Sequence, residues 1–374
     1  MKVLSKLYYY CLLIMGFLLP SCSDAKLGEL LTIPVDISQN SPLRLSEITE
    51  DLIAIELELT NRSLIISDWI SRILFSEHYI IVAQAQRVMV FDKNGRFVRN
   101  IGRVGQGPGE FNWLLSIAID EKNNRLFILS AGPGKIISYC LSGDFISEIV
   151  LPPPRPFDIH YVDGHFLLTK EQFGRNEDGR RFLHSSLYRL DENFQVIDSL
   201  SVRTIYFIDG TGFVTSYHDK NTVVRGLETT YYFKTPVSSI ATPQADPILR
   251  DTLYRLENNQ LIPELRLQFR NDGVDRSGNL FIDIHTIFRS SRYVFSIYNN
   301  TISGNTYQFV FDTKTGIGHN MQGGFIDDIN NIEERVLVRP RITNSEYFYF
   351  WHTHMDPDDF DEPNPTLYLG RLRR

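Results

Sequence analysis

His352 and His354 are separated by a single residue in the aromatic run 347–354. Alternation along a strand points both imidazoles to one face. With Asp356 and Asp358 just downstream, these four residues are the candidate donors of a zinc site. The acidic loop 356–362 also offers the oxygen ligands that calcium takes. Its spacing matches neither ion's usual loop and the glycine of an EF-hand is missing, so a solvated acidic turn is the simpler reading.

Gly102, Gly105, Gly107 and Gly109 raise the idea of a phosphate loop. That chemistry needs a helix N-terminus whose amides point at the anion. Here residues 111–117 lead into a strand and no Gly-Lys-Ser/Thr follows, so the glycines are read as a sharp crossing between structural units. His160, His165, His184, His218 and His285 are scattered singly and read as hydrogen-bonded strand residues. No Gly-x-Ser-x-Gly elbow and no His-Glu-x-x-His is present. Asp272 and Asp275 would serve glycoside hydrolysis only at the right spatial separation. No catalytic residue is assigned, and no motif calls for a cofactor.

Binding chemistry has more support. Residues 171–182 form a long segment rich in Arg and aromatics, with Phe173, Arg175 and Arg180 as candidates. Arg103, Gln106 and Trp113 lie in the glycine segment and its continuation, Arg155 follows a run of prolines, and His352 ends the aromatic run. Aromatic faces stack on sugars or peptide side chains, and Arg binds carboxylates in bidentate fashion. The competing view is that Phe173 and Phe182 merely pin a long loop. The charge balance, 38 Lys+Arg against 45 Asp+Glu, gives a net −7 and excludes a basic nucleic-acid footprint.

The elements that would position these residues are strands. Past residue 60 the pattern is short β-branched and aromatic runs between Asn-Gly, Ser-Gly, Asp-Gly or Pro-rich turns. Residues 79–83, 88–92 and 96–101 read as three successive strands, with Asn94-Gly95 supplying the positive φ of a hairpin. An aromatic ending one strand is followed six residues later by the first apolar residue of the next: Phe91 and Phe97, Tyr139 and Phe145, Tyr188 and Phe194. Tyr254, Phe311 and Tyr368 extend the series with looser turns. A fourth strand is visible at 116–120 and again at 278–283.

Six units of about this length predict an all-β fold, a six-bladed β-propeller of four-stranded antiparallel blades. Tandem units without a linker argue against two sandwiches. Residues 30–36 are expected to close the ring beside 367–372, so trimming 28–38 would destabilise the whole domain. Residues 45–57 begin like a capped helix, alternate like a strand, and read as a lead into the first blade, with the propeller spanning 45–374.

Lys2 and Lys6 precede an apolar run at 7–19, too short to span a membrane but fitting a signal-peptide core. Ser21-Cys22 at its end resembles the lipobox of bacterial lipoproteins, although Pro20 departs from the usual residue there. The resemblance implies a signal peptide over 1–21, acylation of Cys22 and a tether over 22–44. The expected address is the outer membrane, lipid-anchored, on its periplasmic or cell-surface side. Cys140 is then the lone cysteine of the mature domain and reads as a small buried hydrophobe.

Residues 90–97, followed by 101–111, look like the joint of NHL-type propellers. They look still more like the six-bladed propeller lipoproteins of Bacteroides-type bacteria, as do 45–48 and 250–256. The resemblance implies fold and envelope location but no activity. The expected role is binding or scaffolding of a glycan, peptide or envelope protein on one face of the ring. The alternative is a lyase or hydrolase at the channel mouth.

Overall fold

The computed structural model describes residues 30–84, 86–132, 134–206, 215–216, 223–225, 231–234, 239–240, 251–273, 281–341, 344–353 and 363–374. Residues 1–29, which include Cys22, and His218, Asp275, His354, Asp356 and Asp358 lie outside them. No helix among the described residues is long and apolar enough to cross a membrane.

Six antiparallel sheets follow one another along the chain. Blade 1 contains Ile70–Phe75, Tyr79–Gln84, Arg87–Asp92 and Phe97–Asn100, ordered from the ring axis outward. Blades 2, 3 and 5 repeat this meander over 114–150, 156–206 and 282–322. Blade 4 is built from strands within 223–269, and blade 6 combines 339–372 with an N-terminal strand. The apolar runs make sense in this arrangement. A blade packs a neighbour against each face, so Tyr79–Gln84 is buried from Ile80 onward rather than alternating. Outer strands lose that cover, and every residue of Phe145–Val150 is exposed except the half-buried Ile149.

The hydrophobic core is divided among the six joints. Leu74, Ile81 and Val90 of blade 1 meet Ile117, Ile128 and Tyr139 of blade 2. Phe288 and Phe295 of blade 5 meet Phe348 and Phe350 of blade 6. The joint between blades 3 and 4 is the thinnest among the described residues, with Leu167, Leu187 and Val223 as its buried members.

Ring closure differs in detail from the expectation. Leu31–Val35 does not pair with the C-terminal strand; it adds in parallel to the outer edge of blade 4, Leu31 beside Leu265 and Val35 beside Phe269. The chain then crosses blade 5, where the Ser41 amide donates to the Asn320 carbonyl at 2.8 Å. After the single helical turn Leu45–Ile48, the strand Thr49–Glu56 pairs antiparallel with Thr366–Leu372 and closes the ring. Residues 49–56 are thus the outer strand of the last blade. The N-terminal segment straps three blades together.

The aromatic marker behaves as read in two blades and not in the third. Phe91 pairs with Phe97, and Tyr139 with Phe145, each beside a bulge. Phe194 instead takes φ +62 and folds inward, stacking on Phe166 at 4.6 Å.

Candidate functional site

The inner strands of blades 1, 2 and 3 all start at the same end of the ring, and their second strands return to it, as the pairing of Ile70 with Gln84 shows. Trp69 closes the short turn Ser67–Trp69 immediately before the inner strand of blade 1. Trp113 immediately precedes the inner strand of blade 2. These two inner strands touch, and the indoles are 59% and 51% exposed. An aromatic of that size left in water at one end of the ring is an available stacking surface. Arg155, also exposed, precedes the inner strand of blade 3. On the other side the Ser67 hydroxyl meets that of Thr353 at 2.9 Å. This brings the end of blade 6 alongside, where His352 Nε2 lies 3.7 Å from Glu334. Arg339 stacks on Trp351 at 4.2 Å in the same blade.

Blade 3 stands taller than its neighbours. Its second strand continues from Lys170, the partner of Pro156, to Arg175, and its third and outer strands follow as far as the pairing of Phe182 with Tyr206. The extension forms a ledge beside the mouth. Phe182 pins it, packed over Gly174 and edge-on to Tyr206 at 6.5 Å, whereas Phe173 is 44% exposed. Arg180 lies over the Tyr206 ring at 5.0 Å, and Arg175 donates to the Gly179 carbonyl at 2.7 Å across the hairpin tip.

Arg103 and Gln106 sit elsewhere. Their loop folds against the outer strand of blade 2, with Gly109 at the Phe145 ring. Its amides are occupied by the protein's own carboxylates: Gly107 donates to Glu110 at 2.8 Å and Gly109 to Glu148 at 2.9 Å. Arg103 pairs with Glu110 at 2.6 Å. The Gly107 amide and Arg103 hold the Glu110 carboxyl below its ordinary range. Burial, with Glu148 and Glu110 nearby, pushes the Tyr139 phenol up to about 12, and its hydroxyl donates to the Gly109 carbonyl. The glycine segment is a blade joint that stores its own anions.

The most developed polar cluster lies in the inner strands and carries no local sequence signal. Arg72 of blade 1 donates to Asp158 of blade 3 at 2.7 Å and to the carbonyls of Ile117 and Ile159, both at 2.9 Å. Ser116 of blade 2 donates to the same carboxylate at 2.7 Å, and His160 Nε2 donates to its second oxygen at 2.8 Å. Burial alone would raise the Asp158 carboxyl, but Arg72 and His160 outweigh it and hold the group well below the carboxylate range. Burial lowers the His160 imidazole and keeps it neutral, against the pull of Asp158. His, Asp and Arg together make an acid–base set in other settings. Here the three are 5%, 0% and 3% exposed, so the cluster tethers three blades out of reach of a polymer. His165 and His184 each make a single local hydrogen bond, to the Asp163 carbonyl and the Thr204 hydroxyl.

This is a six-bladed β-propeller that carries exposed aromatic and basic groups at one end of its ring. Over residues 30–367 the sequence matches the family described as a domain of unknown function, DUF4934, and the chain belongs to that family. Among solved structures it is similar to a protein of Bacteroides fragilis described as exported, at 15% identity and TM-score 0.59, covering 92% of this chain and 100% of that one. It also aligns with a DUF4221 family member from Bacteroides vulgatus at 12% identity and TM-score 0.48, covering 90% and 99%. No curated protein matches the sequence. The Bacteroides fragilis likeness supports the fold and, at that identity, nothing finer.

Proposed function

We propose that this chain is an envelope lipoprotein that holds a glycan across the mouth of its propeller. The observation carrying the reading is the pair of exposed indoles, Trp69 and Trp113, at the starts of touching inner strands. Sugar rings stack on such faces, and the neighbouring Arg155 and His352 supply hydrogen-bonding groups at the rim. The ledge bearing Phe173, Arg175 and Arg180 would flank the bound chain. A binding role is favoured over a lyase or hydrolase because the best-formed His–Asp–Arg set is sealed inside the ring. The test is a panel of purified polysaccharides and peptides against the purified domain. Saturable binding of a polysaccharide supports the reading; binding confined to peptides, or conversion of any polymer, overturns it.

Anchoring through acylated Cys22 fits the same role. Seven residues, 23–29, separate Cys22 from Leu30 at the outer edge of blade 4. Such a tether reaches no more than about 30 Å and would hold the ring by its rim close to the bilayer. Cys22→Ser is expected to release the protein from the membrane fraction, and retention would overturn the lipobox reading.

A further inference from the structure

A cleft of about 420 Å³ opens on the flank of the ring between the outer strands of blades 3 and 4. Leu200 and Val202 of blade 3 and Leu261 of blade 4 form its apolar walls, while Arg203 and Tyr254 bring polar groups to it. It lies at the joint whose buried core is the thinnest described.

The backbone places the cation there deliberately. In the outer strand of blade 3, Leu200 pairs with Leu187, Ser201 with Ser186, and Arg203 with Ser185, so Val202 is an inserted residue. Without the insertion, alternation would turn Arg203 away from the side that Leu200 occupies. The bulge puts both on the face toward blade 4. A second register shift, between Leu253 and Tyr254, occurs on the opposite wall. Nη1 of Arg203 is buried and has no hydrogen-bond acceptor among the described residues. The carboxylate that acts on it, Asp251, is engaged by Arg266 at 2.8 Å and by Thr252 at 2.8 Å. Burial lowers the Arg203 guanidinium. A buried guanidinium N–H without an acceptor is a costly arrangement that an incoming anion relieves.

We propose that this cleft binds a small monocarboxylate with a short apolar chain, its carboxylate on Arg203 and its chain along Leu200, Val202 and Leu261. One cation, with the Asp251 carboxylate nearby, favours a single negative charge over a dianion such as phosphate. The volume falls within the range of small-molecule sites.

The test is calorimetric titration of the intact mature protein with octanoate, with acetate and octanol as the separate halves of the probe. Saturable octanoate binding is expected, with each half at least about tenfold weaker. Arg203→Gln should weaken octanoate binding at least about tenfold while leaving the fold intact, judged by its melt. Leu200→Trp, which fills the cleft and leaves the cation in place, should abolish binding and decides the matter if Arg203→Gln does not fold. No saturation up to the solubility limit of octanoate, or undiminished affinity in these variants, overturns the proposal. The cleft shares no residue with the mouth, so its failure and the failure of the glycan reading are independent results.

Discussion

Arg72 and Asp158 form an ion pair across an entire blade: the guanidinium comes from the inner strand of blade 1, the carboxylate from that of blade 3, and they meet at 2.7 Å. On the way the arginine donates to the Ile117 carbonyl of blade 2. Both side chains are sealed, at 1% and 0% exposure. Such a pair contributes little over a well-packed apolar replacement, but removing one partner strands the other charge.

Arg72→Met or Asp158→Leu alone is therefore expected to cost about 3–5 kcal/mol. The double variant should recover much of that loss. Denaturant unfolding of the three variants measures the coupling. Additive losses would mean that the two residues act separately.

His160 gives the fold an acid-side weakness. Its folded pKa is lowered by burial, so between that value and the unfolded value near 6.5 the unfolded chain binds more protons. Stability is fully present above about pH 6.5 and declines as pH falls below it, by at most about 1.4 kcal/mol per pH unit. The Asp158 contribution is present above about pH 4 and is lost only in stronger acid. Melts from pH 7.5 to 5 should fall less steeply in His160→Gln than in the parent. Parallel curves would remove His160 from the account.

The glycine of Asn94-Gly95 has two jobs. It takes φ +86, and a Cβ there would sit 1.9 Å from the carbonyl oxygen of Glu56 in the closing strand. Gly164 takes φ +82 with nothing within 4 Å. Gly164→Ala should cost only the left-handed penalty of about 1–2 kcal/mol. Gly95→Ala must also push the closing strand aside and should cost more. Equal losses in denaturant unfolding would contradict the packing of blade 1 against Glu56.

The strap makes a graded truncation series informative. Removing residues up to 38 takes Ile33 and Val35 out of the joint between blades 4 and 5, at about 1.5–3 kcal/mol each, and leaves the closing strand in place. Removing residues up to 57 opens blade 6 and should abolish the cooperative melt. A cooperative melt in the longer truncation would show that the ring does not need Thr49–Glu56.

Much of this architecture is legible in the sequence because central strands are buried on both faces. Tyr79–Gln84 and Arg125–Ser130 read as apolar runs between polar turns, which is what a strand between two neighbouring blades requires. Partner choice is less legible. Residues 31–35 and 49–56 both have strand character, and only the three-dimensional path shows that the second meets Thr366–Leu372. Phe194 has the spacing of Phe97 and Phe145 but turns inward, a choice made by the rings of Phe166 and Phe127. The Arg72–Asp158 contact spans residues 86 apart and leaves no local trace. At the mouth, Trp113 and Arg155 are apparent from composition, whereas Trp69 hides in a three-residue turn. Its one available signal is that it precedes its inner strand as Trp113 does.

Affinity for a polysaccharide identified from the panel, measured in the parent and in Trp69→Ala/Trp113→Ala, tests directly whether Trp69 and Trp113 grip a glycan. The indoles are exposed, so the double variant should melt within a few degrees of the parent. Its affinity should fall at least about thirtyfold, from about 1–3 kcal/mol of stacking lost at each ring. Unchanged affinity in a folded double variant would contradict the account and move the binding site away from the channel mouth.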